Sequence, residues 1–192
     1  MNLGRPVDRG DNRTHSNDVR DVASNILAHL DAAYNLARWL VSSDHDAQDI
    51  VQEAYLRALR SVARFRGGDT RAWILAIVRN ACFDWLRREK SSRVDEMPED
   101  CEIAVTGKEA DPAQILQREE DVQKIQQAIS SLPIEFRQMV VLREMEGLSY
   151  KEIAAVTGVP VGTVMSRLAR ARQRLALLLS GEAQQFAEEA QE

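Results

Sequence analysis

Cysteine is scarce in this chain of 192 residues: there are only Cys82 and Cys101, at neither a CxxC nor a metal-ligand spacing. That excludes a disulfide scaffold and a zinc enzyme, and fits a reducing cytoplasm. Aromatic residues make up 5%, too few for an aromatic-rich β-sandwich. The histidines are scattered at His15, His29 and His45, so no ligand cluster forms. No apolar run approaches the ~18–20 residues needed to span a bilayer, and the N-terminal MNLGRPVDRGDNRTHSNDVRD has no apolar core of a secretory signal. Catalytic arrangements are missing too: there is no Ser/His/Asp set, no Walker loop and no HExxH, and the carboxylate pairs read as solvated surface. The expectation is no enzyme, no catalytic residue, no metal and no cofactor. Excess positive charge is also absent, since 25 Lys and Arg against 30 Asp and Glu leave −5. Such a balance counts against a protein that coats nucleic acid unaided.

What the chain does have is helical periodicity. Residues 1–21 are polar, carry both signs of charge and are expected to be disordered. From there Val22, Ile26, Leu30, Tyr34, Ala37 and Val41 recur at helical spacing. A second helix starts near Asp44, with the stripe Ala47, Ile50, Val51, Ala54, Tyr55, Ala58 and Val62, and Gly67-Gly68 breaks it. A third runs from Thr70 to about Lys90 and is apolar nearly all round, as a helix packed on several sides must be. Residues 91–112 lose periodicity and hold Pro98, Gly107 and Pro112; over 93–121 the charge balance is 3 − 10 = −7. This reads as an acidic flexible linker. A second helical block covers 113–180, with Ile115, Val122, Ile125 and Ile129 marking its first helix, and an acidic tail follows over 181–192. No strand pattern appears. The fold class is therefore all-α: two small helical domains, 22–90 and 113–180, joined by the linker.

Three constellations carry chemistry. Within 149–175, Ser149-Tyr-Lys-Glu152 is a capping box flanked by Leu148 and Ile153 as a hydrophobic staple. Gly158 supplies a turn, and a second helix from Val161 holds Arg167, Arg170, Arg172 and Arg174 with no acid. This is a helix-turn-helix whose arginines can reach phosphates and guanine edges. On the helix 44–63, Asp49, Gln52, Glu53, Leu56 and Arg60 share the face opposite the apolar stripe. A leucine ringed by acids suits a basic protein partner, although isolated exposed leucines are common. Finally, Arg64, Arg66, Arg71, Arg79, Arg87, Arg88 and Lys90 interleave with Phe65, Trp73, Phe83 and Trp85, and Asn80, Asp84 and Arg87 share one face. Basic residues among aromatics suit unpaired bases, which stack and are read on their edges. The alternative is tryptophans in a core with arginines solvating the surface.

Two segments thus look built for DNA inside an acidic chain. At these residues the sequence resembles a known family. Asp46-AQDIVQEAYLRALRSVARF followed by Thr70-RAWILAIVRNACFDWLRRE is similar to region 2 of a bacterial sigma factor, and Ser131-LPIEFRQMVVLREMEGLSYKEIAAVTGVPVGTVMSRLARARQRL to region 4. With no region 3 between them, the chain resembles the extracytoplasmic-function sigma factors over about residues 22–179.

The resemblance implies roles. Asp46, Asp49, Gln52, Glu53 and Leu56 match the docking surface for the clamp helices of the β′ subunit of core RNA polymerase. Arg64, Arg66, Arg71, Asn80, Asp84, Arg87 and Arg88 match the elements that hold and read the −10 element, including a flipped base. Thr163, Met165, Ser166, Arg167, Arg170 and Arg174 match the −35 reader, although relatives often carry Lys or Arg where Met165 stands. Region 4 would sit on the β flap tip, and the linker would thread toward the RNA exit path. An anti-sigma factor is the expected control, with no membrane insertion and no obligatory homo-oligomer. A stand-alone helix-turn-helix regulator, binding a palindromic duplex without polymerase, is the competing reading. A helical enzyme would need a polar pocket with a nucleophile or metal ligands, and none is visible unless Cys82 is solvent-reactive; a redox switch of Cys82 with Cys101 is opposed by the place of Cys82 on the apolar stripe of the third helix.

Overall fold

The computed structural model describes residues 22, 24–62, 65, 67–92 and 112–180. Among them every regular element is helical: α1 (Leu30–Val41), α2 (Asp44–Ser61), α3 (Thr70–Ser92), α4 (Pro112–Ser130), α5 (Ile134–Val140), α6 (Tyr150–Thr157) and α7 (Val161–Ser180). A π-helical turn, Val141–Met145, continues α5.

Local chemistry sets the boundaries. Ser43 caps α2, its side chain accepting from the Asp46 N–H at 3.3 Å, and Asp44 and Asp46 in the first turn complement the helix dipole. Ser42, at φ 61°, makes the tight corner from α1, and Asp44 ties it down by pairing with Arg38 at 3.1 Å and accepting from the Tyr34 hydroxyl. Gly147 (φ 67°) ends the π turn and Gly158 (φ 70°) ends α6. The capping box forms as expected, with Leu148 and Ile153 buried beneath it. Pro133 stands at the N-cap of α5.

One reading needs correction. The Val22–Val41 periodicity is not one helix: residues 24–27 are helical, but the chain turns at Ala28–His29, where the His29 N–H bonds back to the Ile26 carbonyl at 3.1 Å. The Tyr55 hydroxyl donates to that same carbonyl at 3.1 Å. The break takes Leu30 off the buried stripe and leaves it 45% exposed. The helix marked by Ile115, Val122, Ile125 and Ile129 forms as α4, with Ile129 buried and Ile125 46% exposed. At the linker, α3 runs two residues past Lys90 and α4 begins at Pro112. The segments 1–21, 93–111 and 181–192, to which disorder, linker and acidic tail were assigned, lie outside the described residues.

The core is the feature least legible from periodicity alone. Helix α3 lies at its centre, with Ile74, Leu75, Val78 and Cys82 fully buried. It packs against α1 and α2 on one side and against α6 on another, while α1 also meets α5 and the π turn. One contiguous apolar cluster therefore joins residues of both halves, from Ile26 through Ile74 to Met139, Ile153 and Leu168. A satellite of Leu132, Phe136, Val140 and Ala171 seats α7 on α5.

Candidate nucleic-acid and partner interfaces

The outward face of α2 is as the helical wheel requires. Asp49, Gln52, Glu53 and Leu56 are exposed, Leu56 at 48%, and Asp46 is half-buried beside the cap. Glu53 pairs with Arg57, and Asp49 lies 3.5 Å from the His45 ring. Leu59, three residues on, is 42% exposed and extends the apolar spot. The sequence reading missed it, although the i, i+3 spacing from Leu56 gives it away.

Arg64 and Arg66 lie outside the described residues. Of the rest of the −10 set, Asn80, Arg87 and Arg88 are exposed, and Asp84, half-buried, pairs with Arg87. Asp84, Arg87 and Arg88 line an open groove of about 540 Å³ together with Arg57 from α2. Arg57 is a further cation that the sequence reading did not place there. Phe65 stacks at a tilt on Trp73, centroids 4.9 Å apart. The Arg79 guanidinium lies 4.1 Å over the Phe83 ring and donates to the Asn80 amide oxygen at 2.9 Å. Trp73, Phe83 and Trp85 pack against the core, so these rings serve the fold as well as the surface.

In the helix-turn-helix, Val164 and Leu168 bury one face of α7 while Met165, Ser166 and Arg170 are exposed on the other, and Thr163 and Arg167 are half-buried. Arg174 is exposed and lies 5.0 Å over the Phe136 ring. Arg172 bonds Glu144 at 2.6 Å, which raises its pKa, so one of the four helix charges already has an internal partner.

Two arginines of α3, Arg71 and Arg79, are half-buried and already bonded within the protein. Arg71 donates to Glu146 at 2.8 Å, and the Glu146 side chain is only 8% exposed. Arg79, whose Nε–H donates to Gln138 at 3.1 Å, has its pKa lowered, first by burial and then by the charge of Arg167. Arg137 reaches the Trp39 carbonyl at 3.1 Å. These bonds link α1 and α3 to α5 and the turn after it. No sequence signal distinguishes Glu146 or Gln138, because their roles depend on contacts between residues far apart in the chain. Cys82 is fully buried, and burial pushes its thiol from 9.0 up to about 12. That disfavours the thiolate any redox role would need.

Residues 26–92 match the family described as sigma-70 region 2, and residues 122–175 match sigma-70 region 4. The chain is 40% identical over 137 residues to the ECF RNA polymerase sigma-E factor of Escherichia coli K12, covering 68% of this chain and 72% of that protein. It belongs to the extracytoplasmic-function sigma factors.

It is also 41% identical over 150 residues to the ECF RNA polymerase sigma factor SigE of Mycolicibacterium smegmatis; the match takes in 78% of this chain but spans only 58% of that relative's length. Among solved structures it is similar to the sigma factor RpoE of Bartonella quintana in complex with the anti-sigma factor NepR, with TM-score 0.66, 27% identity, and coverage of 84% and 98% of the two chains. CnrH in complex with the cytosolic domain of CnrY shares the fold, with TM-score 0.60, 24% identity, and coverage of 88% and 94%. In this sigma factor, α1–α3 lie in region 2, while the second half of α4, α5, α6 and most of α7 lie in region 4. No described helix is long and apolar enough to cross a membrane.

Proposed function

We propose that this sigma factor binds core RNA polymerase and directs promoter-specific initiation, and that an anti-sigma factor controls it. The observation that carries the reading is one chain presenting both an acid-rimmed apolar face on α2 and a helix-turn-helix whose reading helix bears exposed Arg170 and no acid. The working units are 22–90 and 113–180, with 91–112 between them. Asp46, Asp49, Gln52, Glu53 and Leu56 dock the clamp helices of β′, with Leu56 as the desolvated anchor and the carboxylates as its rim. Region 4 meets the β flap tip. On α7, Thr163, Met165, Ser166, Arg167, Arg170 and Arg174 face the −35 duplex, where guanidinium groups suit guanine edges and phosphates.

Arg64, Arg66, Arg71, Asn80, Asp84, Arg87 and Arg88 handle the −10 element. Holding a flipped base out of the stack offsets part of the cost of melting. The groove shared with Arg57 supplies phosphate contacts beside it. The sigma factor does no chemistry: polymerase supplies the metal and the nucleotide transfer, in the cytoplasm. The similarity to a sigma factor captured with its anti-sigma factor supports the same kind of control here.

Gel filtration with purified core enzyme, with and without a −35/−10 duplex, tests the reading. Co-elution with core and DNA binding only in its presence is the expected result. Tight duplex binding without core association would favour a stand-alone regulator. Leu56→Asp with Glu53→Lys should abolish core binding at unchanged helix content; normal binding would remove the docking assignment. Arg170→Ala should weaken −35 binding by ~1–3 kcal/mol if it reads a base. An equal loss on all sequences would make it a phosphate contact.

A further inference from the structure

We propose that Met165 is an apolar specificity residue of the −35 reading helix: it selects an A·T pair by packing on the C5-methyl group of the thymine in the major groove. The proposal rests on the assignment of α7 to the −35 duplex.

The two flanks of α7 differ in chemistry. Val164, Leu168 and Ala171 are buried and fix the direction of the core. At about 100° per residue, the face opposite them is centred near Ser166 and Gln173, both exposed. Arg170 and Arg174 lie to one side of that centre, and they too are exposed. Met165, Ala169 and Arg172 lie to the other. There Met165 has no charge, and Arg172 is already bonded to Glu144 at 2.6 Å. One flank therefore offers guanidinium groups to guanine edges and phosphates, and the other offers a thioether and methyl groups.

Met165 is 53% exposed, the most exposed of the large apolar side chains on α7. Ala169, one turn on, is also exposed and extends the apolar spot. Isolated exposed apolar residues are common, and position separates Met165 from Leu177, Leu178 and Leu179 on the same helix. It is the fifth residue of α7, and the N-terminal residues of a recognition helix are the ones that reach base edges. In the major groove the C5-methyl of thymine is the apolar mark of a base pair; the other edges present donors and acceptors. An unbranched thioether adapts its rotamers to such a methyl. Ser166 does not duplicate the contact. Its hydroxyl donates to the Thr163 carbonyl at 3.0 Å, which leaves it an acceptor for a base amino group.

The test uses holoenzyme reconstituted from the full-length chain and core polymerase. A promoter library first defines the −35 element. Each thymine of that element, on either strand, is then replaced by deoxyuridine, which removes the methyl and keeps the pairing. Competition binding should show one position at which wild type loses about fourfold in affinity, the worth of one buried methyl. The loss should vanish in Met165→Ala and persist in Met165→Leu. Met165→Arg should change the base selected at that position to guanine and add about one charge to the salt dependence. All three replacements are good helix formers at an exposed site, so the fold is retained. A selected −35 element without thymine would overturn the proposal. So would a wild type indifferent to every uracil substitution, or a loss of the same size in Met165→Ala. Failure of wild-type holoenzyme to select any −35/−10 pair would instead sink the functional reading.

Discussion

Cys82 and Tyr55 show how much a single position depends on what surrounds it. Both belong to apolar stripes legible in the sequence, and both are interior. Burial raises the Cys82 thiol from 9.0 and the Tyr55 phenol from 10.0, each to about 12. Raised pKa values mean that the unfolded chain loses these protons first. Their contribution to stability is complete below about pH 9 and is lost as pH climbs toward about 12. Urea midpoints measured across that range should fall. Tyr55→Phe should make the fall shallower, while costing ~0.5–1.5 kcal/mol at neutral pH for the lost bond to the Ile26 carbonyl. Thiol labelling of the native protein should be very slow at Cys82 and become fast in denaturant. Rapid native labelling would contradict the burial. Leu30 and Ile125 teach the reverse lesson: each has the right spacing for a core position, yet each is exposed. Periodicity says that a helix has an apolar face, not that a partner covers all of it.

At the scale of the element, the helix-turn-helix was almost fully legible. Its boundaries rest on contacts within a few residues: the Ser149–Glu152 capping box, the Leu148 and Ile153 staple, and the left-handed Gly158. Space is free around a Cβ at Gly158, so Gly158→Ala should cost only the backbone strain, ~1–2 kcal/mol by thermal melting. Ser149→Ala should cost ~0.5–2 kcal/mol through the lost cap. The cap also titrates. Hydrogen bonds from Ser149 hold the Glu152 carboxyl below its ordinary 4.5, so its stabilisation is present above that pH and disappears as pH falls through the lowered value. Ser149→Ala should therefore matter less in acid than at neutral pH. Helix α2 was equally readable, because a wheel needs only the local period of 3.6. Helix α1 was less so: its start at Leu30, rather than eight residues earlier, comes with the Tyr55–Ile26 bond between elements, which propensity does not encode.

At the scale of the whole molecule, charge and packing act together. A net charge of −5 opposes DNA binding, and Arg71, Arg79 and Arg167 are each half-buried. Free protein should bind promoter duplex weakly at physiological salt, and adding core enzyme should restore binding. Ile74→Ala, at the centre of the shared cluster, should destabilise the chain by ~2–5 kcal/mol. Because the cluster spans both halves, a single unfolding transition by circular dichroism and by tryptophan fluorescence is expected; two separated transitions would show that the halves fold independently.

The sequence by itself determined the fold class, the helix-turn-helix, the exposed acid-and-leucine face of α2 and the family. All of these rest on periodicity, caps and motif order, which are interactions of near neighbours along the chain. Only the tertiary structure decided that the halves share one core, that Arg57 joins Arg87 and Arg88 around a groove, and that Glu146 and Gln138 engage Arg71 and Arg79. The last two contacts join residues 75 and 59 apart in the chain. A buried carboxylate becomes favourable there only once the fold has supplied its donors.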